Sequence, residues 1–231
     1  MSYRVRQLTR ANLSEGPELD ATQDVLARAF QKDLFTAVVT AHDPADPDVR
    51  HIGPFWRSTV VAGLLGGEVY VAETDDNKIV GCAVWFGPGH SLYDTEEQQK
   101  LSLVPMMAAF DENLQKWWQT EFLPTYDSAV TSALGGAGVK HSWWHLQTLG
   151  VDPAYQRTHA SKLLIEAVAE KAKATQTPLC VECETDTNVE IYTRLGFEIM
   201  PKGTDKDAAK TIFTGIKGDS FPMWVMARIS K

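Results

Sequence analysis

A chain of 231 residues, 44% hydrophobic and 23% charged, has the length and apolar content for a sizeable core in one large domain. Its net charge of −8 turns it away from nucleic acid and anionic membranes, which gain no counterion-release affinity from an acidic protein, and suits a cationic or amine-bearing substrate. No apolar run approaches the roughly 18 residues that span a bilayer, the first residues lack the apolar centre of a secretory leader, and three cysteines make no disulfide framework. The expectation is a reduced, cytoplasmic protein.

Tyr3 to Leu8 alternates as a first strand does, and Pro17 opens a helix whose Leu19, Thr22, Val25, Leu26, Ala29 and Phe30 recur at spacings of three and four. The prolines between His42 and Asp48 mark a turn cluster. Pro54 to Leu65 predicts a second helix, ended by Gly66 and Gly67. The β-rich runs Glu68–Glu73 and Ile79–Phe86 flank a polar turn and predict a hairpin, broken off by Gly87-Pro88-Gly89. From about Thr95 to Phe122 the pattern is helical, with Leu103, Met106, Phe110, Leu114 and Trp117 on one stripe and Met107, Trp118 and Phe122 widening it. Such a stripe is either core packing or a lid whose aromatic face lines a pocket. The small residues of Ser132 to Val139 predict a mobile loop.

The stretch from Trp143 to Phe197 carries the most structure-specific pattern. An apolar strand to Val151 runs into the turn Asp152–Gln156. A helix follows over Thr158–Ala174, then a strand over Leu179–Glu184 and a short helix ending at Gly196. Gly203 to Lys210 reads as loop and Phe221 to Ile229 as a last strand. No internal repeat or linker divides the chain, so a single domain over residues 1–231 is expected, with an insertion at about 90–140.

The turn at Gln156, Arg157, Thr158, His159 and the helix start at Ala160, Ser161 and Lys162 offer unpaired N–H groups and the positive end of a helix dipole, a seat for a pyrophosphate. An ordinary helix start capped by Thr158 is the alternative. Glu182 and Glu184 share one face of their strand and His145 lies on the neighbouring strand, so each is a candidate proton acceptor, with binding of a cationic amine by the acidic pair as the alternative. Cys180 and Cys183, three apart in a strand, point to opposite faces and cannot chelate one ion. His42, His51, His90 and His141 are scattered, and no metal site is expected.

Leu149-Gly-Val-Asp-Pro-Ala-Tyr-Gln156, Ser161-Lys-Leu-Leu-Ile165 and Ile191-Tyr-Thr-Arg-Leu-Gly-Phe197 together resemble the GNAT superfamily of acetyl-CoA-dependent N-acetyltransferases, most closely its fungal-type members with an enlarged region before the central strand. The motifs cover about a quarter of the chain. The resemblance implies an α/β (α+β) fold with a mixed, mostly antiparallel central sheet of six to seven strands flanked by helices, with splayed central strands and a helical insertion. It implies acetyl-CoA as cosubstrate and the amine of a small molecule as acceptor, attacked directly, with no nucleic acid or membrane partner. Backbone groups of Leu149, Gly150 and Val151 would pair with the pantetheine arm, and an N–H near Val151 would hold the thioester oxygen. Tyr192 would protonate the leaving thiolate, and Asn188 would cap its helix or bond the cofactor. The family's loop carries glycine where this chain has His159, and glycine or alanine where it has Ser161. A degenerate, ligand-binding member is the rival reading, as is an enzyme with another acyl donor or a hydroxyl acceptor.

Overall fold

The computed structural model describes residues 2–13, 16–46, 48, 50 and 52–229, so His51 and Pro47 of the sequence patterns lie outside the described residues. An eight-stranded sheet runs through it. Strand β1 (Arg4–Leu8) is at one edge, followed by the hairpin β2 (Glu68–Glu73) and β3 (Ile79–Phe86), then β4 (Trp144–Val151) and β5 (Leu179–Cys183). The spatial order is β1-β2-β3-β4-β5-β8-β6, where β6 is Glu198–Ile199 and β8 is Ser220–Arg228, and β7 (Thr211–Thr214) pairs with β8. Every neighbouring pair is antiparallel except β4 and β5. The parallel pair follows from the β–α–β crossover between them. The sheet exceeds the expected six to seven strands because β6 has two residues and β7 four, too few for the alternation to register.

Side-chain alternation gives the sheet two apolar faces. Val69, Val71, Cys82, Val84 and Phe86 join one cluster, and Tyr70, Ala72, Ala83 and Trp85 the other. The first face is covered by α1 (Pro17–Ala29), α2 (Leu34–Thr40), α3 (Gly53–Gly66) and the insertion; the second by α8 (Ala160–Ala174) and α9 (Asp186–Arg194). Cys180 falls in the first cluster and Cys183 in the second, as their spacing requires, and all three cysteines are free and buried.

The insertion is several helices rather than one. It comprises α4 (Glu96–Gln98), α5 (Val104–Ala108), α6 (Glu112–Trp117) and α7 (Leu123–Leu134), with π-helical turns at Gln99–Leu103 and Trp118–Phe122. Each π turn ends just before a helix with proline in its first turn, Pro105 or Pro124. Proline donates no backbone hydrogen bond, so the turn ahead of it widens. The aromatic stripe serves both expected uses. Met106, Leu114 and Trp117 are buried core, while Leu103, Met107, Trp118 and Phe122 face a cavity. The stretch expected as a mobile loop is helical to Leu134 and then turns through Gly135 and Gly138, both at positive φ, into a short 3₁₀ turn at Lys140–Ser142.

Candidate active site

The two central strands part halfway along. Pairing of β4 with β5 covers only Trp144–Leu146 against Leu179–Val181, although β4 continues to Val151 and β5 to Cys183. On its other side β4 carries an irregularity at Gln147, since Val84 pairs with Thr148 and Trp85 with Leu146. A bulge bends the strand that carries it and so steers β4 away from β5. A cavity of about 640 Å³ opens at this fork, walled by both strands, α3, the insertion and α9.

Backbone direction settles which β4 groups face the gap. The Asp152 amide donates to the Val80 carbonyl (2.9 Å), so even-numbered residues back to Thr148 face β3 and odd-numbered ones face away. The free amides are therefore those of Leu149 and Val151. Gly150 is a correction to its expected cofactor role: its amide faces β3. A Cβ at that residue would lie 2.7 Å from Leu26 and 2.9 Å from Phe30, so it serves close packing on α1. The outward Val151 carbonyl accepts a hydrogen bond from the Gln156 side-chain amide (3.1 Å), which occupies the group expected to point at phosphate.

The turn after β4 also departs from expectation. The helix begins at Ala160 rather than Thr158, and the Thr158 hydroxyl donates to the Tyr155 carbonyl instead of capping. The residue before the helix is His159, with φ 71° and ψ 0°, and Arg157 is likewise at φ 64°. Both therefore hold the left-handed conformation for which glycine is usually selected. The His159 side chain is exposed, so its bulk points out of the turn. Among the described residues none accepts from the amides of His159, Ala160, Ser161 and Lys162. Unpaired amides at the positive end of a fifteen-residue helix suit a diphosphate. Ala160 is buried, Ser161 half-buried and Lys162 exposed, and none of residues 156–162 lines the cavity.

The cavity wall carries His145, Glu182, Glu184, Asn188 and Tyr192 together. His145 Nε2 lies 2.6 Å from Glu182 Oε2, and the other Glu182 oxygen lies 3.3 Å from Lys140 Nζ. Burial works against the Glu182 carboxylate, but His145, Lys140 and the Tyr126 hydroxyl outweigh it and hold its pKa well below the usual range. Burial lowers His145, with Lys140 adding to it against the pull of Glu182, so a neutral imidazole donates to an ionised Glu182. Neither is a free proton acceptor. Glu184 differs. Among the described residues no cation offsets it: burial first, then the carboxylates of Asp33 and Glu182, push its pKa well above the ordinary value.

Tyr192 is fixed by the end of its own helix. The Phe197 amide donates to the Tyr192 carbonyl (3.0 Å) and the Gly196 amide to that of Thr193 (3.0 Å), with Gly196 at φ 87°. This is the Schellman pattern, and the Tyr192 and Phe197 rings meet edge-on at 5.5 Å. Burial, reinforced by Cys183, Glu184 and Glu182, raises the phenol well above its ordinary value, so it keeps its proton at neutral pH. Asn188 does not cap α9. Thr185 does, accepting from the Asn188 amide (3.0 Å), which leaves the Asn188 side chain for the cavity.

Sequence reasoning missed Lys140, Tyr126 and Asp33, which come from the insertion and the start of α2. It also treated His90 and His141 as scattered, whereas both join His145 on the cavity wall; His42 is buried elsewhere. Among the described residues no group of three His, Cys, Asp or Glu side chains is placed to hold a metal ion. No described helix is long and apolar enough to cross a membrane.

Residues 93–213, just over half of the chain, match the family model described as Acetyltransferase (GNAT) domain. None of the curated proteins matches. Among solved structures, arylalkylamine N-acetyltransferase 2 from Aedes aegypti has a TM-score of 0.63 at 13% identity, covering 100% of both chains. A histone acetyltransferase HPA2 and related acetyltransferase from Corynebacterium glutamicum has 0.58 at 18%, covering 100% of this chain and 98% of that one. The Drosophila melanogaster polyamine N-acetyltransferase has 0.54 at 19%, covering 97% and 99%. At such identities the likeness is one of fold, and these relatives give no support to a fungal-type subset.

Proposed function

The chain belongs to the GNAT acetyltransferase family, and on that premise we propose that it moves an acetyl group from acetyl-CoA to the primary amine of a small, partly apolar molecule by direct attack. The observation that carries the reading is the cavity at the β4–β5 fork, whose wall holds Glu184 and Tyr192 together and is otherwise largely aromatic and apolar. The reading treats residues 1–231 as one cytoplasmic catalytic domain.

Acetyl-CoA supplies the acyl thioester. The outward amides of Leu149 and Val151 are free to pair with an extended arm along the fork, and that of Val151 to hold the thioester oxygen as charge develops on it. The amides of residues 159–162 fit its diphosphate, and the left-handed backbone at His159 supplies the shape a glycine would give. That conformation removes the chief support for a degenerate, non-catalytic member.

An amine is protonated at neutral pH, so a proton must leave before attack. Glu184 is the base: its raised pKa brings it toward the acidity of the group it must deprotonate. Tyr192, still protonated, gives its proton to the departing thiolate. The indole and phenyl rings of Trp56, Trp118, Phe35 and Phe122 wall the acceptor end and favour an amine carrying an apolar group. Proteins of similar fold include an arylalkylamine and a polyamine N-acetyltransferase, and the aromatic wall favours the first kind of acceptor.

The test is acetyl transfer from acetyl-CoA to a panel holding tryptamine, phenethylamine, agmatine and spermidine, with CoA binding measured by calorimetry. Transfer to the aryl amines above the others is expected. No affinity for CoA would sink the enzyme reading, and transfer only from longer acyl-CoA donors would replace the donor.

A further inference from the structure

Lys140 lines the same cavity, and the function proposed above gives it no part in the transfer. Its ammonium donates to the Tyr126 hydroxyl, sits 4.6 Å from the centre of the Tyr126 ring, and reaches to 3.3 Å from Glu182 Oε1. The backbone is pinned too. Lys140 opens a 3₁₀ turn, and the carbonyl of its neighbour His141 accepts from the Gly89 amide (2.8 Å). The opposite Glu182 oxygen is taken by His145 at 2.6 Å. Glu182 is thus an ionised carboxylate, 8% exposed, whose charge is matched by one cation.

Glu182 on β5 and Glu184, one residue past the strand's end at Cys183, both line the cavity, and the Glu182 charge acts on Glu184. A bare negative charge at Glu182 would oppose ionisation of Glu184. We propose that Lys140 is a positioning residue which, by neutralising Glu182, governs the pH at which Glu184 becomes the charged base. The proposal rests on the function assigned to Glu184 above. The other ionisable groups about Glu184 are Asp33 at the head of α2, Cys183 at the end of β5, Tyr192 on α9 and Tyr126 on α7, with His145 across the fork. Of these, Asp33 adds repulsion, Tyr126, Tyr192 and Cys183 are held neutral by burial, and the lowered His145 is uncharged near neutrality. Lys140 is therefore the cation that matters.

The experiment is a carbon-13 NMR titration of the Glu184 side-chain carboxyl, assigned with Glu184→Gln, in the parent, Lys140→Arg, Lys140→Met and Lys140→Met/Glu182→Gln proteins. The double variant removes a charge pair together and guards against misfolding of the single one. Lys140→Met should raise the Glu184 midpoint by about one pH unit, Lys140→Arg should leave it in place, and the double variant should return it to the parental value or below. In turnover of acetyl-CoA with tryptamine, the acid limb of kcat/KM should move by the same amount. A midpoint unmoved in Lys140→Met, or still raised in the double variant, overturns the proposal. A moved midpoint with an acid limb that stays put instead removes Glu184 from the base role, so the two failures are told apart.

Discussion

Two carboxylates, one buried at the end of β2 and one half-buried just past the end of β5, have opposite fates. Glu73 on β2 is 2% exposed and receives Arg4 at 2.7 Å and Arg6 at 2.7 Å, with Glu18 bridged to Arg6 as well. Burial alone would raise it, but Arg6 and Arg4 outweigh that and lower it. Glu184 on the cavity wall meets no cation among the described residues, and burial with two acidic neighbours raises it. The edge cluster spends its carboxylate on holding β1, β2 and α1 together. The cavity leaves its carboxylate without a cationic partner among the described residues, which costs stability and is what the proposed base role calls for. A saturated ion pair reads as structure and an unsaturated one as chemistry.

The contrast is broken most easily at Glu184. Glu184→Gln should lower kcat/KM by about a hundred- to ten-thousandfold, while raising the melting temperature near neutral pH, because a costly buried charge is gone. Activity retained with no gain in stability would erase the distinction. Tyr192→Phe, on the same wall, should lower kcat by about a hundredfold with CoA affinity unchanged by calorimetry. An unaltered kcat would return Tyr192 to a packing role.

At the other pole, Glu73→Gln should cost about 1–3 kcal/mol in denaturant unfolding and leave turnover intact. The pH dependence carries opposite signs. The folded pKa of Glu73 is depressed, so its stabilisation is present above its unfolded value and fades as pH falls through the folded one. Glu184 is raised, so its contribution is complete below its unfolded value and is lost as pH rises through the folded one. Parent-minus-variant unfolding curves that slope the same way for both would contradict this. The smallest effect is expected at the turn. His159→Val, β-branched and ill-suited to positive φ, should weaken CoA binding by about tenfold, and His159→Gly should bind at least as well as the parent. Equal losses in both would mean that the imidazole, not the backbone, does the binding.

Much of the frame was legible because its signals are local. The alternation of β2 and β3, the spacing in α1 and α3, and the Gly196 turn that sets Tyr192 each depend on residues a few positions apart. So did the disposition of Cys180 and Cys183. Local rules failed where a second segment took the bond: Thr185 rather than Asn188 caps α9, and Gln156 turns back to Val151.

The sequence alone therefore determined the family, the central strand–helix–strand unit, and the candidacy of Tyr192, His145, Glu182 and Glu184. Period, turn chemistry and motif are written in consecutive residues. Only the tertiary structure decided among them. It spent Glu182 on His145 and Lys140, left Glu184 facing Asp33, and turned His159 outward on a left-handed backbone. Whether a carboxylate is base or brace depends on the charges that surround it, and those arrive from α2, α7 and the turn before β4, segments too distant in the chain for any local pattern to announce.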